Sequence, residues 1–226
     1  MSAARDSAAR AGTPGLSRRS VLGLIGLWPA CAAADPRKPA YPAKPALKNA
    51  PALSAARSIM AGAPLSVFLT NKPDGARLAI ARPGDPPDKA IVVLQPGGNV
   101  PALQTPGTAG DYELRLMIDR DGRPAILVSQ PLTTTEPSAT LAAPARVGPR
   151  QALPVRGIGP NGEFDRVTLV APDAPPEAQG PRFFPAENVE ATLEAPEQPG
   201  LYELRYVLNA PVSGLRVIAR KAVAVE

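Results

Sequence analysis

Along its C-terminal half the chain alternates apolar and polar residues in short stretches, each ended by Pro, Gly, Asn or Asp. Alternation with a period of two puts every second side chain on one face, the pattern of a half-buried strand. It sets Val189, Ala191, Leu193 and Ala195 on one side of a stretch that ends at Pro199-Gly200. Beyond that turn, Tyr202, Leu204, Tyr206 and Leu208 share a side. The same reading predicts strands at 139–143, 151–158, 165–171 and 215–225, with a short piece at 182–184 and a turn at Gly159-Pro160-Asn161-Gly162. Thirty prolines and nineteen glycines interrupt the chain too often for long helices. The pattern predicts an all-β protein of short strands.

The second signal is internal repetition. Gly110-Asp111-Tyr112-Glu113-Leu114-Arg115 recurs as Gly200-Leu201-Tyr202-Glu203-Leu204-Arg205. Upstream, Arg77-Leu78-Ala79-Ile80-Ala81-Arg82-Pro83 matches Arg166-Val167-Thr168-Leu169-Val170-Ala171-Pro172. Paired prolines follow each block, Pro86-Pro87 and Pro175-Pro176, and Asn99-Val100 to Pro106 matches Asn188-Val189 to Pro196. Four blocks in one order at nearly constant spacing describe a duplicated unit.

Seven short strands per unit of about 90 residues, separated by turns, predict two tandem immunoglobulin-like β-sandwich domains. Tyr112 and Tyr202 each stand two residues past a turn glycine, at the start of the penultimate strand. There a tyrosine corner buries its ring and returns its hydroxyl to the backbone upstream. Glu113 and Arg115, and likewise Glu203 and Arg205, alternate away from that core face. They are expected to be exposed, either as a weakly stabilising charge pair or as a recurring recognition face.

The stretch 191–208, Ala-Thr-Leu-Glu-Ala-Pro-Glu-Gln-Pro-Gly-Leu-Tyr-Glu-Leu-Arg-Tyr-Val-Leu, followed by Val217-Ile218-Ala219-Arg220, resembles a β-sandwich module of bacterial exported proteins. Such modules are often appended to von Willebrand factor A domains. The resemblance covers 139–226 and, less closely, 58–135. It implies an adhesive or scaffolding role without catalytic residues. The Asp-x-Ser-x-Ser motif of the von Willebrand domain itself does not occur in this sequence.

Composition changes the picture mainly at the N-terminus. The sequence pI of about 9.7 suggests a nucleic-acid partner. Removing Arg5, Arg10, Arg18, Arg19 and Asp6 from the 25 basic and 20 acidic residues, however, leaves a net charge of about +2. No basic cluster with interleaved aromatics remains, so no nucleic-acid partner is expected. Ser17-Arg18-Arg19-Ser20-Val21-Leu22, then an apolar run to Trp28 and Ala32-Ala33-Ala34, resembles a twin-arginine export signal. A charged region, a short apolar region and a small-residue cleavage site stand in that order. Residues 1–34 are read as this signal, with Arg18 and Arg19 as its export determinants.

Cys31 leaves two readings open: removal with the leader by cleavage after Ala34, or acylation as a lipoprotein anchor. It is the sequence's single cysteine, so neither reading allows an intramolecular disulfide. Residues 35–56 mix Pro, Ala and Lys without apolar period and are read as a linker. The predicted units are then 57–135 and 136–226.

Much chemistry is missing. With no histidine and one cysteine, Ser-His-Asp and Cys-His triads, His-ligated metals and redox pairs are excluded. Gly157-Ile158-Gly159 lacks the helix of a phosphate loop and reads as a turn. Asp119-Arg120-Asp121-Gly122 suits a hairpin turn or, alternatively, part of a calcium loop. Glu163, Asp165 and Glu187 are the acids left for a carboxylate-only glycosidase, and nothing in their spacing pairs them.

The expectation is a non-enzymatic binding or scaffold protein, without cofactor, that engages a protein partner in the cell envelope. It is expected in the periplasm or secreted, touching membrane only through its signal or a lipid anchor. The alternatives are an envelope-anchored structural lipoprotein acylated on Cys31 and a carbohydrate-binding module.

Overall fold

A computed structural model describes residues 49–226. Arg18, Arg19, Cys31, the signal at 1–34 and most of the 35–56 segment lie outside the described residues. Within them every regular element is a strand. The first copy contains β1 (Ala52–Ala55), β2 (Ser58–Met60), β3 (Pro64–Thr70), β4 (Arg77–Ala81), β5 (Val92–Leu94), β6 (Ala102–Gln104), β7 (Gly110–Arg120) and β8 (Arg123–Thr135). The second contains β9 (Thr140–Ala142), β10 (Arg146–Val147), β11 (Ala152–Ile158), β12 (Arg166–Val170), β13 (Arg182–Phe183), β14 (Glu190–Glu194), β15 (Gly200–Ala210) and β16 (Gly214–Val225).

Each copy is a sandwich of a three-stranded and a five-stranded sheet with identical topology. The small sheets run β1-β3-β6 and β9-β11-β14; the large ones run β2-β8-β7-β4-β5 and β10-β16-β15-β12-β13. The opening strand is split in both. Its first part pairs antiparallel in the small sheet, and its second part (β2 or β10) pairs parallel to the last strand. Split opening strand, antiparallel partners and parallel closure together make the fold immunoglobulin-like.

The strands expected in the second copy omit β10, because two residues are too few to show a period; its counterpart β2 is only three residues long. The first sandwich begins before the expected boundary at 57, since β1 already pairs with β3 from Ala52 onward. The Pro- and Ala-rich composition of the preceding segment hid that strand.

Strict alternation builds the cores. In β3 and β11 every second residue is buried, so Leu65, Val67 and Leu69 in one copy, and Leu153 and Val155 in the other, face the large sheet. They meet Leu78, Ile80, Tyr112, Leu114, Leu116 and Leu132 in the first copy. The second core gathers Val167, Leu169, Leu193, Leu204, Tyr206 and Val223. Burial of an aliphatic side chain contributes roughly 1.5–3 kcal/mol, which is how so few aromatics suffice. Even the irregularities repeat: the β7–β8 ladder shifts register at Leu116/Met117 and the β15–β16 ladder at Tyr206/Val207.

The two hairpins differ at their tips. Asp121 and Gly122, at φ 51° and 73°, form a two-residue turn whose left-handed pair matches strand twist. The second copy replaces it with Pro211-Val212-Ser213.

Candidate functional site

The Tyr-Glu-Leu-Arg motif occupies one place in both sandwiches, the start of β7 and of β15. Tyr112 is buried, and its hydroxyl donates to the Thr108 carbonyl at 3.2 Å and lies 2.8 Å from Thr108 Oγ1. The Tyr202 hydroxyl donates to the Gln198 carbonyl at 3.0 Å, again four residues upstream, but its ring is only half-buried. Leu114 and Leu204 are fully buried in the cores.

The Glu and Arg positions correct the expectation of an exposed pair. Arg115 and Arg205 are each 1% exposed and rank among the largest buried side chains of the protein. They do point away from the core. However, the outer face of the large sheet is roofed by the connection that follows β4 or β12, the segment that carries the paired prolines.

Arg115 donates from Nε and Nη2 to Glu113 Oε2 at 2.8 and 2.7 Å. It also reaches the carbonyls of Asp85 at 2.7 Å and Pro86 at 3.2 Å. Arg205 donates from Nε to Glu203 Oε2 at 2.5 Å and from Nη1 to the Ala174 carbonyl, Ala174 being the counterpart of Asp85. Small residues make room beneath: Ala79 sits opposite Arg115 and Thr168 opposite Arg205. Each Arg is therefore a latch that holds a proline-rich connection against its sheet. A guanidinium fits this role because its planar fork serves a carboxylate and several carbonyls at once.

The latch acids carry a pH signature. Burial pushes the Glu113 carboxyl up, but hydrogen bonds and charge from Arg115, with Ser129, outweigh it and hold the carboxyl below its ordinary value. Glu203 behaves likewise through Arg205 and Arg220. An acid depressed in the folded state lends stability above its unfolded pKa of about 4.3 and loses it as pH falls through the folded value. Denaturant midpoints measured from pH 6 to pH 3 should therefore fall less steeply in Glu113→Gln/Glu203→Gln than in the wild type; equal slopes would contradict the latch.

A second polar cluster went unread in the sequence. Asp165, fully buried between β11 and β12, accepts from Gly162 N at 2.9 Å, Asn209 N at 2.9 Å and the Tyr206 hydroxyl at 3.0 Å. The Tyr206 hydroxyl also accepts from Asn161 N at 2.8 Å. Burial drives the Asp165 carboxyl up despite these donors, and burial with the Asp165 charge drives the Tyr206 phenol up. The available signal was Tyr206, which stands where the first copy has Leu116. Asp165 is sealed, whereas Glu163 and Glu187 are exposed on separate loops, so the three acids do not face one another across a cleft. Asp85, meanwhile, pairs with Lys89 at 3.1 Å.

The surfaces of the copies differ on the outer face of the small sheet. In the first copy Phe68 and Val100 stand opposite each other, 58% and 57% exposed. The flanking bonds Val67 N to Pro101 O and Leu69 N to Asn99 O fix that register. Ser54, Pro64, Ser66 and Ala102 extend a face without charge. By strand register the equivalent positions in the second copy are Arg156 and Glu190, one residue past the Val189 that the repeat aligns with Val100, and they form an ion pair at 3.5 Å. A shallow groove of about 610 Å³ lies there, lined by Pro144, Pro154, Arg156, Glu190 and Thr192 with no aromatic side chain.

No family model matches the sequence, and no curated protein is similar to it. Among solved structures the chain is similar to murine CEACAM1b, at 12% identity over 78% of this chain and 98% of that one, with a TM-score of 0.25. It is also similar to the Yersinia pseudotuberculosis adhesin InvE, at 18% identity over 78% of this chain and 58% of that one, with a TM-score of 0.26. The D0-D1 domain of intimin matches at 10% identity over 77% and 97%, with a TM-score of 0.27. The assignment of the fold rests on the strand order and register of the chain itself.

Proposed function

We propose that this chain is a non-enzymatic binding or scaffold module that engages a protein partner through the small-sheet face of its first sandwich. The observation that carries this reading is the exposed Phe68–Val100 pair, set where the duplicate carries Arg156 and Glu190. The duplicate acts as an internal control: it shows that charge is compatible with the fold at both positions, so the apolar pair serves something other than folding. An uncharged face with an exposed aromatic side chain suits a partner that presents an apolar protein surface. The leader motif supports action outside the cytoplasm, in the periplasm or attached to the envelope through Cys31.

The test transplants the second copy's residues. Phe68→Arg with Val100→Glu should reduce capture of a partner from envelope extract at least tenfold. Its denaturation midpoint should stay at the wild-type value, because exposed positions shift stability by about 0.5 kcal/mol or less. Equal capture by variant and wild type would refute this surface.

A further inference from the structure

The trailing end of the first copy meets the leading loops of the second, and the residues there are specialised on both sides. From the second copy come the β11–β12 loop and the β15–β16 hairpin, which Asp165 binds together through Gly162 N and Asn209 N. From the first come the turn before β3 and the segment after β6. Gln104 Nε2 donates to the Asn209 carbonyl at 3.0 Å, and Gly107 N donates to the Pro211 carbonyl at 2.8 Å. Arg216 on β16 pairs at 2.5 Å with Glu136, in the short connection between the copies.

Glycines permit the approach. A Cβ on Gly62 would lie 2.5 Å from Leu208 Cδ1, and one on Gly162 would lie 2.5 Å from Gln104 Nε2 and 2.9 Å from the Gly62 carbonyl. A Cβ on Gly107 would overlap Ser213 and Ala210.

The duplicate again shows what the fold alone requires. Gly62 N donates to the Pro106 carbonyl, and its counterpart Arg150 N donates to the Pro196 carbonyl. Both residues are left-handed, at φ 82° and 56°. Gly107 corresponds to Glu197, and Arg150 and Glu197 form an exposed ion pair at 2.6 Å. The same two fold positions thus accept Arg and Glu when they face solvent and hold Gly and Gly when they face the other sandwich. On the receiving side, Val212 adopts φ 74° in the hairpin that supplies the Pro211 carbonyl. A β-branched residue is strained in that conformation. The first copy uses a relaxed Asp-Gly turn at the same place.

We propose that the two sandwiches are one rigid, cooperatively unfolding body. The second copy builds a socket around Asp165, and that socket receives the glycine-lined end of the first. The partner face proposed above is then held at a fixed orientation to the second sandwich.

The test is calorimetry and small-angle X-ray scattering on the full chain. The wild type should unfold in one transition with equal calorimetric and van't Hoff enthalpies. Gly62→Arg with Gly107→Glu, which installs the second copy's own pair, should split unfolding into two transitions and increase the radius of gyration. Two independent transitions in the wild type would overturn the proposal, as would a double variant with one transition and unchanged scattering. Should that variant fail to fold, Gln104→Ala with Arg216→Ala removes junction contacts without adding bulk. It must separate the two midpoints, and a transition that stays single there overturns the proposal equally.

Discussion

Arg115→Ala is expected to destabilise the first sandwich by about 3 kcal/mol, among the largest effects of any single replacement outside the aliphatic cores. The side chain is 1% exposed, and its removal takes away two bonds to Glu113 and two to the Asp85 and Pro86 carbonyls. It also leaves an empty volume above Ala79 and frees the proline connection from its sheet. Hydrogen bonds to charged groups contribute about 1.5–3 kcal/mol each before the carbonyls recover water, so a net of about 3 is the scale to expect. Arg205→Ala should cost less, because its Nη2 has no hydrogen-bond partner. Lysine should rescue neither, since a point charge cannot span a carboxylate and the carbonyls together. Guanidinium denaturation of the four variants, alanine and lysine at each position, beside the wild type checks the order; an Arg115→Ala midpoint within experimental error of the wild type would remove the latch.

Asp165→Ala should be as damaging, by about 3–5 kcal/mol, and for the opposite reason: the loss strands donors rather than acceptors. Gly162 N, Asn209 N and the Tyr206 hydroxyl all point at this carboxylate, and each buried donor left unpaired costs about 1–3 kcal/mol. Asp165→Asn keeps the shape and one acceptor oxygen but turns an amide toward donors, so it should fall between alanine and the wild type. The variants also differ in pH response. The Asp165 carboxyl is raised in the folded state, so its contribution weakens as pH rises from the unfolded value of about 3.9 through the folded one. Replacing it should remove that trend, opposite in sign to that of Glu113 and Glu203. Urea midpoints at several pH values measure both effects, and an alanine variant as stable as the wild type would show that the cluster is dispensable.

Much of the architecture was written in the period-two pattern. The strand stretches read in the second copy match β9 and β11–β16 to within a residue or two at each end. The duplicated motif located equivalent strands in both copies. What escaped has physical reasons. Alternation distinguishes the two faces of a strand, but it cannot say whether the outward face meets water or a connection folded over it, and so Arg115 and Arg205 read as exposed. Asp165 and Tyr206 lie 41 residues apart, with nothing local to tie them together. Phe68 carries no motif, and the repeat aligns Val100 with Val189 rather than with Glu190. Their meaning appears only when register places them against Arg156 and Glu190, an alignment that becomes readable once the strands are paired.

The parallel closure of each sandwich has a mechanical consequence. Ser58, Ile59 and Met60 pair with Thr133, Thr134 and Thr135 in the same direction, and Arg146 and Val147 pair likewise with Ala224 and Val225. Tension applied along the chain pulls the first and last strands of each copy in opposite senses along their length. Such a load shears the ladder, so all its bonds must yield together instead of opening one at a time from an end. Clamped this way at both copies, a tether made of this chain transmits force before it lengthens.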